Sequence, residues 1–143
     1  MIFMKFNKLI PELSVSNLKK SIHFYTKILG FKIEYRREES KFVFLSFQGS
    51  QIMIQENNEN WNTGKLEYPF GRGVNFSIDV DGVNRIVERL KKHKYPIKVM
   101  PKKNWYRKGD TLLRVKEILV LDPDGYLLRF SQDIGTKHVE KSI

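Results

Sequence analysis

The residues able to do chemistry are few and unevenly spread. There is no cysteine, which excludes disulfides, thiolate metal sites and a thiol nucleophile. The three histidines, His23, His93 and His138, are scattered through the chain. Serines are present, but none sits in an elbow motif or at a spacing that signals a Ser-His-Asp set. Two carboxylates, Glu12 and Asp79, fall on strand patterns at similar places in the two halves of the chain. Paired carboxylates can share acid and base work, although polar residues at a wet cavity account for them more simply. The cations are more suggestive. Residues 91–108 contain Lys91, Lys92, Lys94, Lys98, Lys102, Lys103, Arg107 and Lys108 with no acid among them, which is eight of the ten excess positive charges. Such a run is either an anion-binding surface or a solvated helix end followed by a loop. Trp61, Trp105 and Tyr106 fall in segments that read as loops, and Phe42 and Phe44 share one face of a strand. Large aromatics so placed can stack on a planar ligand, or can plug the open end of a sheet.

The bulk composition limits what can carry these groups. A chain of 143 residues with 41% hydrophobic content can bury a proper core in one compact domain, built here from two small modules. The first nine residues have no apolar stretch long enough for a signal peptide, and no run approaches a membrane span, which fits a cytoplasmic protein. Nucleic-acid binding through residues 91–108 is disfavoured, because no recognition-helix motif accompanies the charge.

The elements that would position the groups repeat. Residues 8–15 alternate, with Leu9, Pro11, Leu13 and Val15 on one side. Asn17 can cap a helix whose Leu18, Ile22, Tyr25 and Leu29 form an apolar stripe, and Gly30 is placed to end it. Strands follow at 31–36, 42–47 and 51–55. Residues 57–72 read as a linker. The order then restarts: a strand at 74–80, a helix capped by Asp81 with Val83, Ile86, Val87 and Leu90 inward, a short strand at 97–100, a loop at 101–111, and a closing hairpin. That hairpin turns through Asp122-Pro123-Asp124-Gly125, whose proline presets one turn angle and whose glycine accepts positive φ. Residues 133–143 read as a loose polar tail. The fold class is therefore α+β, two tandem β-α-β-β-β modules (about 7–56 and 73–132) with curved mixed sheets and helices outside. The repeat is about 70 residues long, a duplicated module rather than a solenoid.

Particular stretches carry a resemblance. Pro11-Glu12-Leu13-Ser14-Val15-Ser16-Asn17, Ser21-Ile22-His23-Phe24-Tyr25 and Leu29-Gly30-Phe31 resemble the opening of vicinal oxygen chelate proteins, the group of glyoxalase I, extradiol dioxygenases and bleomycin resistance proteins. Residues 69–76, Trp105-Tyr106-Arg107 and residues 122–130 are most similar to the bleomycin resistance branch. The resemblance implies a homodimer that sequesters a small ligand in an aromatic-lined cleft, with no membrane role. In metal-dependent members it also implies His or Glu at four points, one on the first and one on the last strand of each module. Carried over, these points are Ile10, Met53, Asn75 and Arg129. Divalent cations need imidazole or carboxylate lone pairs, so this set predicts no metal and no cofactor.

The expected ligand-binding residues are Glu12, Phe42, Phe44, Trp61, Asn75, Trp105, Tyr106, Arg107 and Arg129. With Lys102, Lys103, Arg107, Lys108 and Arg129 near the same region, charge favours a neutral or anionic aromatic ligand over cationic bleomycin. Two readings follow. One is a bleomycin resistance-type protein that sequesters an aromatic ligand or antibiotic without turnover. The other is a metal-independent enzyme acting on a small anionic substrate, with Arg129 and Arg107 as anion clamps and Glu12 as base.

Overall fold

The computed structural model describes residues 4–139, in two compact units. The first runs to Arg72 and includes the turn Asp122–Tyr126; the second comprises Gly73–Leu121 and the chain from Leu127 onward. Each unit is a four-stranded mixed sheet with a helix on one face, so the α+β class follows the sequence reading.

In the first unit, β1 (Glu12–Val15) leads into α1 (Leu18–Ile22), which widens into a π-helical segment, His23–Leu29. The Asn17 side chain accepts from the Lys20 amide at 3.0 Å and caps the start. Gly30, at φ 98°, ends the helix in the left-handed conformation that glycine alone adopts without steric cost. β2 (Lys32–Arg37), β3 (Phe42–Phe47) and β4 (Ser50–Glu56) complete the sheet in the order β1-β4-β3-β2, with β1 parallel to β4. Strand alternation sends Leu13, Val15, Val43, Leu45, Ile52 and Ile54 to one side, where all are buried. Burying each such side chain contributes roughly 1.5–3 kcal/mol. The opposite side carries Glu12, Met53 and Phe44 in neighbouring register, with Tyr35 stacked on Phe44 at 5.1 Å.

The turn Asp122–Tyr126 is a buried polar knot of this unit. Asp122 accepts from the Tyr25 hydroxyl at 2.8 Å and from the amides of Asp124 and Tyr126 at 2.9 Å each. Asp124 accepts from the Ser16 hydroxyl at 2.5 Å and the Ser16 amide at 3.0 Å, and the Tyr126 hydroxyl donates to the Ser14 carbonyl at 2.8 Å. Burial pushes the Asp122 carboxyl up to about 6, and the bond from Tyr25 opposes that rise without cancelling it.

The second unit contains β5 (Asn75–Asp79), α2 (Val83–Lys92), β6 (Val99–Lys108), β7 (Thr111–Leu121) and β8 (Leu127–His138), ordered β5-β8-β7-β6 with β5 parallel to β8. Val83, Ile86, Val87 and Leu90 of α2 are buried with Ile78, Val80, Ile118, Val120, Leu128 and Phe130.

Three local readings need correction. Residues 101–111, expected as a loop, form most of β6 and its turn into β7; Trp105 lies opposite Arg114 and Tyr106 opposite Leu113. The apolar alternation that marks a half-buried strand is missing because β6 is the sheet edge, where lysines are tolerated and discourage further pairing. Residues 133–138, expected as tail, continue β8 against β7, while 140–143 lie outside the described residues. Gly82, not Asp81, is the N-cap of α2, and the Val83 amide is satisfied by the Gln132 side chain at 3.1 Å. Among the described residues no helix is long and apolar enough to cross a membrane.

Candidate functional site

The second sheet gathers a polar cluster on the side away from α2. Ile118, Phe130 and Leu128 point under the helix, so alternation turns Glu117, Leu119, Arg129 and Ser131 to the opposite side. Register sets Ser131 opposite Glu117 and Arg129 opposite Leu119. On β6, Lys102, Asn104 and Tyr106 take the same side, with Lys102 directly opposite Glu117. A cavity of about 310 Å³ opens here, lined by Val99, Lys102, Asn104, Tyr106, Glu117, Leu119 and Arg129. A larger hollow of about 730 Å³ follows Asn57, Glu59 and residues 62–66, but it is open, loop-lined and gathers no set of convergent groups.

Glu117 is the centre of the cluster, only 6% exposed. Its Oε1 accepts from Asn104 Nδ2 at 2.8 Å and from the Tyr106 hydroxyl. Its Oε2 accepts from Ser131 Oγ at 3.1 Å and faces Arg129 Nη1 at 3.9 Å. Burial alone would raise this carboxyl, but the bonds from Tyr106, Asn104 and Ser131, with the Arg129 charge, outweigh it and hold Glu117 below its ordinary range. The same contact raises Tyr106, whose proton is held by the carboxylate. Arg129 Nε is out of reach of solvent and has no hydrogen-bond acceptor.

The nine expected residues fall in both units. Tyr106 and Arg129 line the cavity. Trp105 alternates to the other side of β6, 47% exposed, with the Arg114 guanidinium 5.2 Å from its ring. Arg107 is exposed and its Nε donates to the Gly109 carbonyl at 3.1 Å. Asn75 begins β5 and is exposed. In the first unit, Phe42 and Phe44 are buried, Glu12 is exposed on β1, and Trp61 is exposed in the segment between β4 and β5. Glu12 pairs with Met53 and Asp79 with Ser131, and the two carboxylates belong to different units. Glu117 was not anticipated. Its signal was a lone acid inside a strand otherwise rich in Leu, Ile and Val, where a charge needs partners.

The two sheets share one register pattern. Glu12 opposite Met53 precedes the buried pair Leu13 and Ile54, just as Ser77 opposite Arg129 precedes Ile78 and Phe130. The sequence signature of the glyoxalase/bleomycin resistance protein/dioxygenase superfamily matches residues 6–130. The chain belongs to that superfamily. Within the curated members, it is 30% identical over 126 residues to the lactoylglutathione lyase of Neisseria meningitidis, covering 84% of this chain and 86% of that protein. It is 27% identical over 139 residues to the bleomycin resistance protein of Geobacillus stearothermophilus, covering 87% and 96%. In fold it is similar to TioX from Micromonospora sp. ML1, with a TM-score of 0.69 at 15% identity over 90% of this chain and 100% of that one.

The superfamily's metal positions do not fit a metal here. Ile10 and Met53 offer a hydrocarbon and a thioether, Asn75 a weak amide ligand, and Arg129 a guanidinium with no lone pair and a permanent positive charge. Among the described residues no three His, Asp or Glu converge on one point.

Proposed function

We propose that this protein binds and sequesters a small aromatic molecule without metal catalysis, in the manner of bleomycin resistance-type proteins and as the homodimer that resemblance implies. The observation that carries the reading is Arg129, a cation on β8 where a metal-dependent relative would need a carboxylate, set in the wall of a polar cavity. The groups around it suit holding better than turnover. A general base works best with a pKa near the working pH, yet Glu117 is held low and its oxygens accept three hydrogen bonds. Tyr106, raised and committed to Glu117, is a poor proton acceptor.

The enzyme alternative keeps one point in favour: a tyrosine bonded to a carboxylate beside an arginine is a set that could move a proton on a bound anion. One experiment separates the two. Tryptophan fluorescence is titrated with bleomycin and with a panel of neutral and anionic aromatic compounds, and each compound is then recovered and weighed by mass spectrometry. Saturable binding with every compound recovered intact supports sequestration. Catalytic conversion of any of them rejects it.

A further inference from the structure

Resting on that binding reading, we propose that the Glu117 cavity is an anion site, where Arg129 and Lys102 hold the carboxylate of a small ring-bearing ligand and supply the positive charge that a metal supplies elsewhere in the superfamily. Three observations on this one sheet support it.

The first is how Glu117 is used. Its oxygens are taken up by Asn104, Tyr106 and Ser131, and Arg129 Nη1 lies at 3.9 Å, beyond hydrogen-bond length. Glu117 thus orients the guanidinium without consuming its donors. The second is the Arg129 guanidinium itself, which stands in the cavity wall with its side chain 34% exposed. A guanidinium presents its N–H groups in one plane, a flat fork that matches the two oxygens of a carboxylate, the geometry in which arginine is strongest and lysine a poor substitute. The third is Lys102, across from Glu117 in the β6–β7 register and on the cavity wall. With two cations against one anion, the wall keeps a net positive charge after Glu117 is counted. Val99 and Leu119 supply the apolar surface, and a volume of about 310 Å³ suits one ring and its acid group.

Calorimetric titration of the full chain with benzoate, and with benzamide as its neutral isostere, tests the assignment. Benzoate should bind at least about tenfold tighter than benzamide and weaken as salt rises. Arg129→Ala should remove that preference, and Arg129→Lys should not restore it. Lys102→Ala, at an exposed edge position where folding is not at stake, should weaken benzoate by about threefold to tenfold and leave benzamide unchanged. If benzamide binds as well as benzoate, or if both alanine variants keep the wild-type preference, the anion site is wrong while sequestration stands. If benzoate is bound but chemically converted, sequestration fails and the anion site stands. No heat from benzoate up to about 10 mM would also overturn the anion site.

Discussion

The Tyr106 hydroxyl donates to Glu117, so a residue on the sheet edge satisfies a carboxylate buried in the neighbouring strand. Removing the carboxylate would leave Asn104, Tyr106 and Ser131 without their acceptor and Arg129 without its nearest anion. Glu117→Ala should therefore lower unfolding free energy by about 2–4 kcal/mol, and Glu117→Gln, which keeps an acceptor oxygen, by about half as much. Urea unfolding of both variants checks this. Equal losses would show that the charge, not the hydrogen-bond shape, is what matters.

Asp122 makes stability depend on pH in an uncommon direction. Its folded value, about 6, lies above the ordinary 3.8, so the folded state takes up a proton at higher pH than the unfolded state does. Its contribution thus becomes more favourable as pH falls from 7 toward 4 and is largest below the unfolded value. Glu117 and Glu56 act oppositely. Both are held below their ordinary value, Glu56 by the Leu18 amide and Lys41, so their support is present at neutral pH and is lost only as pH falls through those lower values. Between about pH 6 and 4.5 the Asp122 effect should be visible by itself. Asp122→Asn imitates the protonated group, since its amide oxygen keeps the two backbone donors and its nitrogen can donate to the Tyr25 oxygen. Melting curves should show the wild type gaining on this variant as pH falls through that window; parallel curves would reject the assignment.

What was legible in the sequence were features written in local periodicity. The Leu18 to Leu29 stripe, the Asn17 cap and the Asp122–Gly125 turn each follow from a few neighbouring residues, and the matching order of the second half extends them to a two-unit α+β fold. β6 escaped because its lysines mask the strand pattern at a sheet edge, although Trp105 and Tyr106 are strong strand formers. The site was legible only in part. Tyr106 and Arg129 were visible as residue types, but the group that joins them is Glu117, and its partners come from the two strands that flank its own. Trp105 and Tyr106 are adjacent in sequence, and in a strand adjacency separates side chains onto opposite sides.

Gly125 occupies a position that no other residue fits. Its φ is +91°, and a Cβ there would stand 2.6 Å from the Pro69 backbone Cα. A side chain meets both the left-handed backbone penalty and a contact that cannot relax by rotamer change. Gly125→Ala should cost about 2–4 kcal/mol. Gly49→Ala offers a comparison, because φ is +86° there but nothing lies within 4 Å, so it should show the backbone penalty alone, about 1 kcal/mol. Similar losses at the two sites would mean that the Pro69 contact yields easily.

Tyr25 couples the helix of the first unit to Asp122 across 97 residues of sequence. It is fully buried, and its hydroxyl lowers a carboxyl that burial raises. Tyr25→Phe leaves the ring packing intact and removes one donor from a buried anion, a loss of about 1.5–3 kcal/mol where Asp122 is charged. Below about pH 5 the neutral carboxyl needs that donor less, so the penalty should shrink. The measurement is the difference in unfolding free energy between wild type and Tyr25→Phe at neutral and at mildly acid pH. A penalty that does not change with pH would place the value of this contact in packing around the hydroxyl, and Asp122 would then titrate independently of Tyr25.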